Sequence, residues 1–159
     1  MAKQRAEGRA KRAAAVWCGL IFPLCLWVCT SDGFDQKQLK QLLKSSQCPG
    51  CDLSNAALSG ANLGSANLAG ANMTGAFLSD ANLSGANLAK ADLTGATLND
   101  AYLANADLSG ANLTGAKMFF TILVGATLSG TILNGAELST ALWINGKRCA
   151  VGSVGECKE

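Results

Sequence analysis

From Cys51 to about Trp143 the chain sets small, polar and large apolar residues in a fixed order that returns every five positions. The stretch opens Cys51-Asp52-Leu53-Ser54-Asn55. It settles into Ala61-Asn62-Leu63-Gly64-Ser65 and Ala86-Asn87-Leu88-Ala89-Lys90. The large position is Leu from Leu53 to Leu138, with Met73 and Met118 as the substitutions, and Trp143 falls at the next one.

This period suits neither regular element. On an α-helix five residues advance about 140°, so the leucines would spiral round the axis without forming a stripe. The frequent Gly, Asn and Asp would also weaken a helix. On a flat strand five is an odd number, and successive leucines would change faces. Within one repeat, however, Ala61 and Leu63 are two apart, and extended chain points both to one side. The Ser/Thr-Gly or Ser/Asn-Asp pair that follows is turn chemistry. One short extended piece and one turn per repeat let every leucine face a common axis. The pattern therefore predicts a solenoid.

Tandem Ala-Asn/Asp-Leu-x-x resembles the pentapeptide-repeat family. The resemblance implies an all-β solenoid, a right-handed quadrilateral β-helix with four repeats to a coil. It implies about four and a half coils and, at ~4.8 Å between stacked strands, a rod roughly 22 Å long. Leu fills the interior and Ala sits where the chain bends. Cys51 takes the Ala place in the first repeat. Thr121 and Thr131 take it near the other end, where a buried hydroxyl needs a backbone partner.

The flanks read differently. Residues 1–31 are expected to be a signal peptide or membrane anchor. Lys3, Arg5, Arg9, Lys11 and Arg12 precede the uncharged stretch 13–29, and a polar Thr30-Ser31-Asp32-Gly33 follows. An uncleaved anchor through 13–29 and a lipoprotein box at Leu26-Trp27-Val28-Cys29 are the alternatives. The expected compartment is exported: periplasm, lumen or extracellular space. Residues 32–48 read as an amphipathic cap helix and connector. Leu39, Leu42 and Leu43 share one helical face, and Asp32 or Asp35 starts the helix. Those leucines are expected to cover the open end of the repeat core, with partner binding as the alternative. The repeats are bounded at 49–143, and residues 144–159 form a Cys-containing C-terminal cap.

Charge and composition narrow the chemistry. The net charge is +2 and the chain holds no histidine. The usual general base, the usual metal ligand and every His-dependent triad are absent. From Cys51 to Leu142, Asp52, Asp80, Asp92, Asp100, Asp107 and Glu137 face only Lys90 and Lys117, a net of −4. Some members of the family are rods that imitate DNA and bind topoisomerases. A net of −4 is thin for that role, and export would separate such a rod from its target. No nucleic acid partner and no cofactor are expected.

Three features are candidates for function. Asp80 and Asp100 stack at the last position of their repeats, as a cation-binding or acid–base pair or as two solvated turn carboxylates. Tyr102, Ile122 and Leu142 form an outward line, with Phe119, Phe120 and Val124 nearby. This apolar patch is a contact face for a protein partner or a second copy, or else the C-terminal tail folds over it. Cys48, Cys51, Cys149 and Cys157 are expected to pair locally, Cys48 with Cys51 and Cys149 with Cys157. Zinc is disfavoured because the two sets lie at opposite ends of the rod. The leading function is a non-enzymatic exported scaffold that binds or spaces a protein partner in the cell envelope. The alternatives are the DNA-mimicking rod and an enzyme or cation binder using Asp80/Asp100.

Overall fold

The computed structural model describes residues 35–159. The signal or anchor expected at 1–31, with Cys18, Cys25 and Cys29, lies outside the described residues.

Parallel bridges join residues twenty positions apart, from Gln47 with Asn67 to Ile122 with Leu142. Four repeats therefore complete one circuit. The hydrogen bonds show how one repeat is built. Leu53 N–H donates to the Asn72 carbonyl at 2.7 Å, and Asn72 N–H donates back to the Cys51 carbonyl at 2.8 Å. Ala56 N–H closes the turn on the Leu53 carbonyl at 3.0 Å. The last residue of the repeat is left-handed, as at Gly60 (φ 66°) and Asp80 (φ 60°). That conformation explains why Gly, Asn and Asp recur there.

The circuit has four sides. The first is centred on Leu53 and Met73, the second on Leu58 and Leu78, the third on Leu63 and Leu83, and the fourth on Leu68 and Leu88. The central residues and the preceding alanines form the buried core, as at Leu88 and Ala86. The Thr121 and Thr131 hydroxyls donate to the Leu98 and Leu108 carbonyls, each at 2.8 Å. Thr121 is thus fully buried without an unmet polar atom.

The first coil starts earlier than the expected boundary at 49. Gln47 already pairs with Asn67, and Cys48 occupies an inward central place, fully buried. Pro49-Gly50 is the turn of this repeat, with Gly50 at φ 66°. Ser46 in the Ala place and Cys48 in the Leu place hide the repeat from a search for Ala-x-Leu.

Helix α1 spans Gln36–Ser45. Asp35 caps its start, accepting from Lys37 N–H at 2.8 Å, and Ser46 ends it in a left-handed turn. Leu39 and Leu42 are buried, as a lid requires. Leu43 is not on the covered face and is 52% exposed, a correction to the expected three-leucine stripe. Polar groups of α1 also close the coil edge. Gln38 Oε1 accepts from Asp52 N–H at 2.6 Å, and Gln41 Nε2 donates to the Gln47 carbonyl at 3.2 Å. Among the described residues no coil precedes this one to satisfy these groups.

At the other end the chain reverses after Trp143 and runs back antiparallel. Arg148 bridges Leu142 and Val154 bridges Glu137. Leu138 N–H donates to the Ser153 carbonyl at 2.9 Å, and Trp143 N–H to the Lys147 carbonyl at 2.7 Å. These bonds close the last coil on the second and third sides. Among the described residues no helix is long and apolar enough to cross a membrane.

Candidate interaction surface

The twenty-residue register sorts every outward residue onto a side. The outer row of the third side reads Asn62, Asn82, Tyr102, Ile122, Leu142, linked by parallel bridges. Its flanking row reads Gly64, Ser84, Ala104, Val124, Ile144. No Asp, Glu, Lys or Arg occurs in 61–65, 81–85, 101–105, 121–125 or 141–145. Each other side carries at least two charges, such as Asp52 and Asp92 on the first and Lys90 and Asp107 on the fourth. The repeats of the third side are thus uncharged and become apolar from Tyr102 onward, and the cap adds Arg148 beside Leu142 at the end.

Tyr102 is half exposed, while Ile122, Val124 and Leu142 are partly buried by their neighbours. The tail covers only the end of this patch, where Arg148 pairs with Leu142. Its backbone bonds go to residues 136–143 at the end of the rod. Ile144, Phe77 and Ile132 are further exposed apolar residues that the sequence reading missed. Ile144 extends the third side. Phe77 and Ile132 stand on the second and first sides, away from it. All three occupy outward places of the repeat, so the register alone would have revealed them.

Phe119 and Phe120 form the corner between the second and third sides. Phe119 is partly buried, and its N–H donates to Asn99 Oδ1 at 3.2 Å. Phe120 is 54% exposed and has φ 57°. A bulky residue pays about 1–2 kcal/mol for that left-handed conformation. The same corner column reads Gly60, Asp80, Asp100, Phe120, Thr140. Asp80 and Asp100 lie one coil apart, both exposed. Among the described residues no group of three or more His, Cys, Asp or Glu converges.

Other polar outward residues serve the backbone. Asp92 Oδ1 accepts from Thr94 N–H at 3.0 Å and from its hydroxyl at 2.6 Å, and Asn82 Nδ2 reaches Asn62 Oδ1 at 3.2 Å. The Ser109 hydroxyl and then its amide hold the Asp107 carboxyl below the usual carboxylate range. On the cap, Lys147 Nζ meets Glu159 Oε2 at 2.6 Å, which raises the lysine and lowers the carboxylate. The cysteines among the described residues lie in two disulfides, Cys48–Cys51 under α1 and Cys149–Cys157 in the C-terminal cap.

A coil of four pentapeptides with a Leu/Ala interior defines the class, and sequence comparison agrees. Eight copies of the family model for pentapeptide repeats match residues 46–85 and 81–118. Residues 46–118 therefore belong to the pentapeptide-repeat family, whose fold is a right-handed β-helix. A comparison with the curated proteins found no match. Among solved structures it is similar to HetL, a pentapeptide repeat protein involved in heterocyst differentiation regulation from the cyanobacterium Nostoc. The identity is 36% over 64% of this chain and 51% of HetL, with a TM-score of 0.49. This chain therefore spans about half the length of HetL. It is also similar to a pentapeptide repeat protein from the thylakoid lumen of Arabidopsis thaliana. That identity is 27%, covering 74% of this chain and 88% of the other, with a TM-score of 0.50. Rfr23 from the cyanobacterium Cyanothece is 29% identical over 67% of this chain and 97% of its own, with a TM-score of 0.41. Proteins of this family are in general structural or interaction proteins rather than enzymes.

Proposed function

We propose that this chain is a non-enzymatic, exported scaffold that binds or spaces a protein partner in the cell envelope. Its rod of about four and a half coils presents the apolar part of the third side as the contact surface. Tyr102, Ile122, Val124 and Leu142 supply the surface, with Phe119 and Phe120 at its corner. One observation carries this reading: the repeats of the third side alone are free of charge, and they turn apolar where the neighbouring corner holds an exposed aromatic in an unfavourable conformation. Residues that break a local rule tend to cluster where a protein makes contact.

Export is supported by the basic, apolar, polar order of residues 1–33 and by cysteines that pair within each end. The Arabidopsis neighbour is itself a lumenal protein. Residues 144–159 act in this reading as a stapled cap, not as a binding element.

A photo-crosslinking residue at Tyr102 tests the surface in cells. It should trap a partner in an adduct of discrete mass. The same residue at Asn87, exposed on the fourth side, should trap none. Equal adducts from both positions, or none from Tyr102, would sink the proposal.

A further inference from the structure

We infer that the third side pairs with a second copy of this chain, side against side, in a weak parallel dimer. The inference rests on the proposed contact surface and names its occupant. Charge supplies the first argument. A surface shaped for a different protein commonly carries charges that match that protein and reject others. The repeats of the third side have none in five successive coils, while those of every other side do; the one cation beside them, Arg148 of the cap, pairs with Leu142 and turns its guanidinium to the Thr140 carbonyl at 2.9 Å. Two copies can therefore bring these repeats together without opposing like charges.

Symmetry supplies the second. A homodimer contact is isologous, with the same patch on both copies. Place the two-fold axis along the rod, in the plane of contact. Equal coils then face each other. Tyr102, Ile122 and Leu142 meet their own equivalents, and the Asn62–Asn82 half meets its own. A two-fold axis across the rod at mid-length would lay the apolar half on the asparagine half. The parallel arrangement also disposes of the acidic corner. Asp80 and Asp100 on one edge come opposite the other edge of the partner copy. That edge reads Ser65, Gly85, Asn105, Gly125, Asn145 and carries no charge. Phe120 comes opposite Gly125 on the same edge, which projects no side chain.

Size sets the strength. Five coils at ~4.8 Å, on a side only a few extended residues wide, fall below the roughly 800 Å² per partner of a standard interface. The dimer is accordingly concentration-dependent.

Sedimentation of the oxidised rod across roughly 10 µM to 1 mM tests this. The expected result is a monomer–dimer equilibrium that Ile122→Asp shifts to monomer and that sodium chloride between about 0.05 and 0.5 M leaves unweakened, since no ion pair is screened. Asn82→Cys should form a self-crosslinked dimer on oxidation, because equal coils meet. A wild-type monomer at the highest concentration overturns the inference. So does a dimer that survives Ile122→Asp, or one that salt dissolves. Absence of the Asn82→Cys crosslink in a dimer that Ile122→Asp disrupts overturns the parallel arrangement. If Tyr102 traps a protein of another mass in cells while the isolated chain stays monomeric, the contact surface stands and the second copy is ruled out as its occupant.

Discussion

Leu88→Asp is expected to abolish the cooperative melt of the rod. Leu88 is fully buried in the middle of its column, between Leu68 and Leu108 on neighbouring coils. A carboxylate there has no cation and no spare donor, because every nearby amide already serves the ladder. Asn67, Asn87 and Leu88 amides donate to Ser46, Ala66 and Asp107 carbonyls at 2.8, 2.9 and 2.7 Å. Burying an unpaired ion costs several kcal/mol, against a typical total stability of about 5–15 kcal/mol. In a solenoid each coil is held only by its neighbours, so failure of a central coil separates the two halves. Leu88→Ala gives the graded control, with a loss of about 2–5 kcal/mol. Circular dichroism against temperature reads both. A cooperative transition retained in Leu88→Asp would show that position 88 does not face the core.

The next largest effect is expected from Cys149→Ser combined with Cys157→Ser. The disulfide closes a sequence separation of 8 around a segment that has little core of its own. Cys149 is buried and Cys157 packs partly on the same core, while Val151 and Val154 are exposed. Removing such a crosslink costs about 2–4 kcal/mol. The loss is expected at one end, since the tail supplies acceptors for Leu138 and Thr140 amides at 2.9 and 3.1 Å. Amide exchange at these two residues should accelerate while Leu88 stays protected. The bond between Cys48 and Cys51 closes a separation of only 3, so its removal should cost less. Unchanged exchange at Leu138 and Thr140 would mean that the tail holds without its staple.

The sequence showed the coil clearly because the repeat is a physical constraint repeated without interruption. Leu63, Leu83 and Leu103 can share an interior only if the chain turns every five residues. The repeat centred on Cys48 escaped notice because a cysteine filled the leucine place and Ser46 stood in the alanine place. Leu43 was misassigned because three leucines at helical spacing suggest one stripe, whereas packing on the coil end takes Leu39 and Leu42 and leaves Leu43 outside. The reversal at 143–148 was hidden for a different reason. An antiparallel cap is fixed by backbone bonds to the last coil, and backbone bonds leave no side-chain pattern.

The candidate surface was partly visible. Tyr102, Ile122 and Leu142 stand twenty apart, and the register aligned them. Phe119, Phe120 and Val124 were picked out as apolar residues in outward places. Two facts needed the coordinates. One is the exposure of each residue, which separates half-exposed Tyr102 and Phe120 from partly buried Val124 and Leu142. The other is the conformation of Phe120, since its place in the repeat suggests a turn but not that a phenylalanine adopts φ 57°. The absence of charge in the repeats of the third side was present in the sequence and appears only after the chain is cut into circuits of twenty.

The central claim is that Phe120 is kept for contact and not for packing, and the unfolding free energy of Phe120→Gly in urea tests it most directly. Glycine relieves the left-handed strain of about 1–2 kcal/mol and forfeits the burial of a half-exposed ring, about 1 kcal/mol. The two nearly cancel, so the account predicts a change of no more than about 1 kcal/mol in either direction. A loss of about 3–5 kcal/mol, the usual result of deleting a packed phenylalanine, would contradict it.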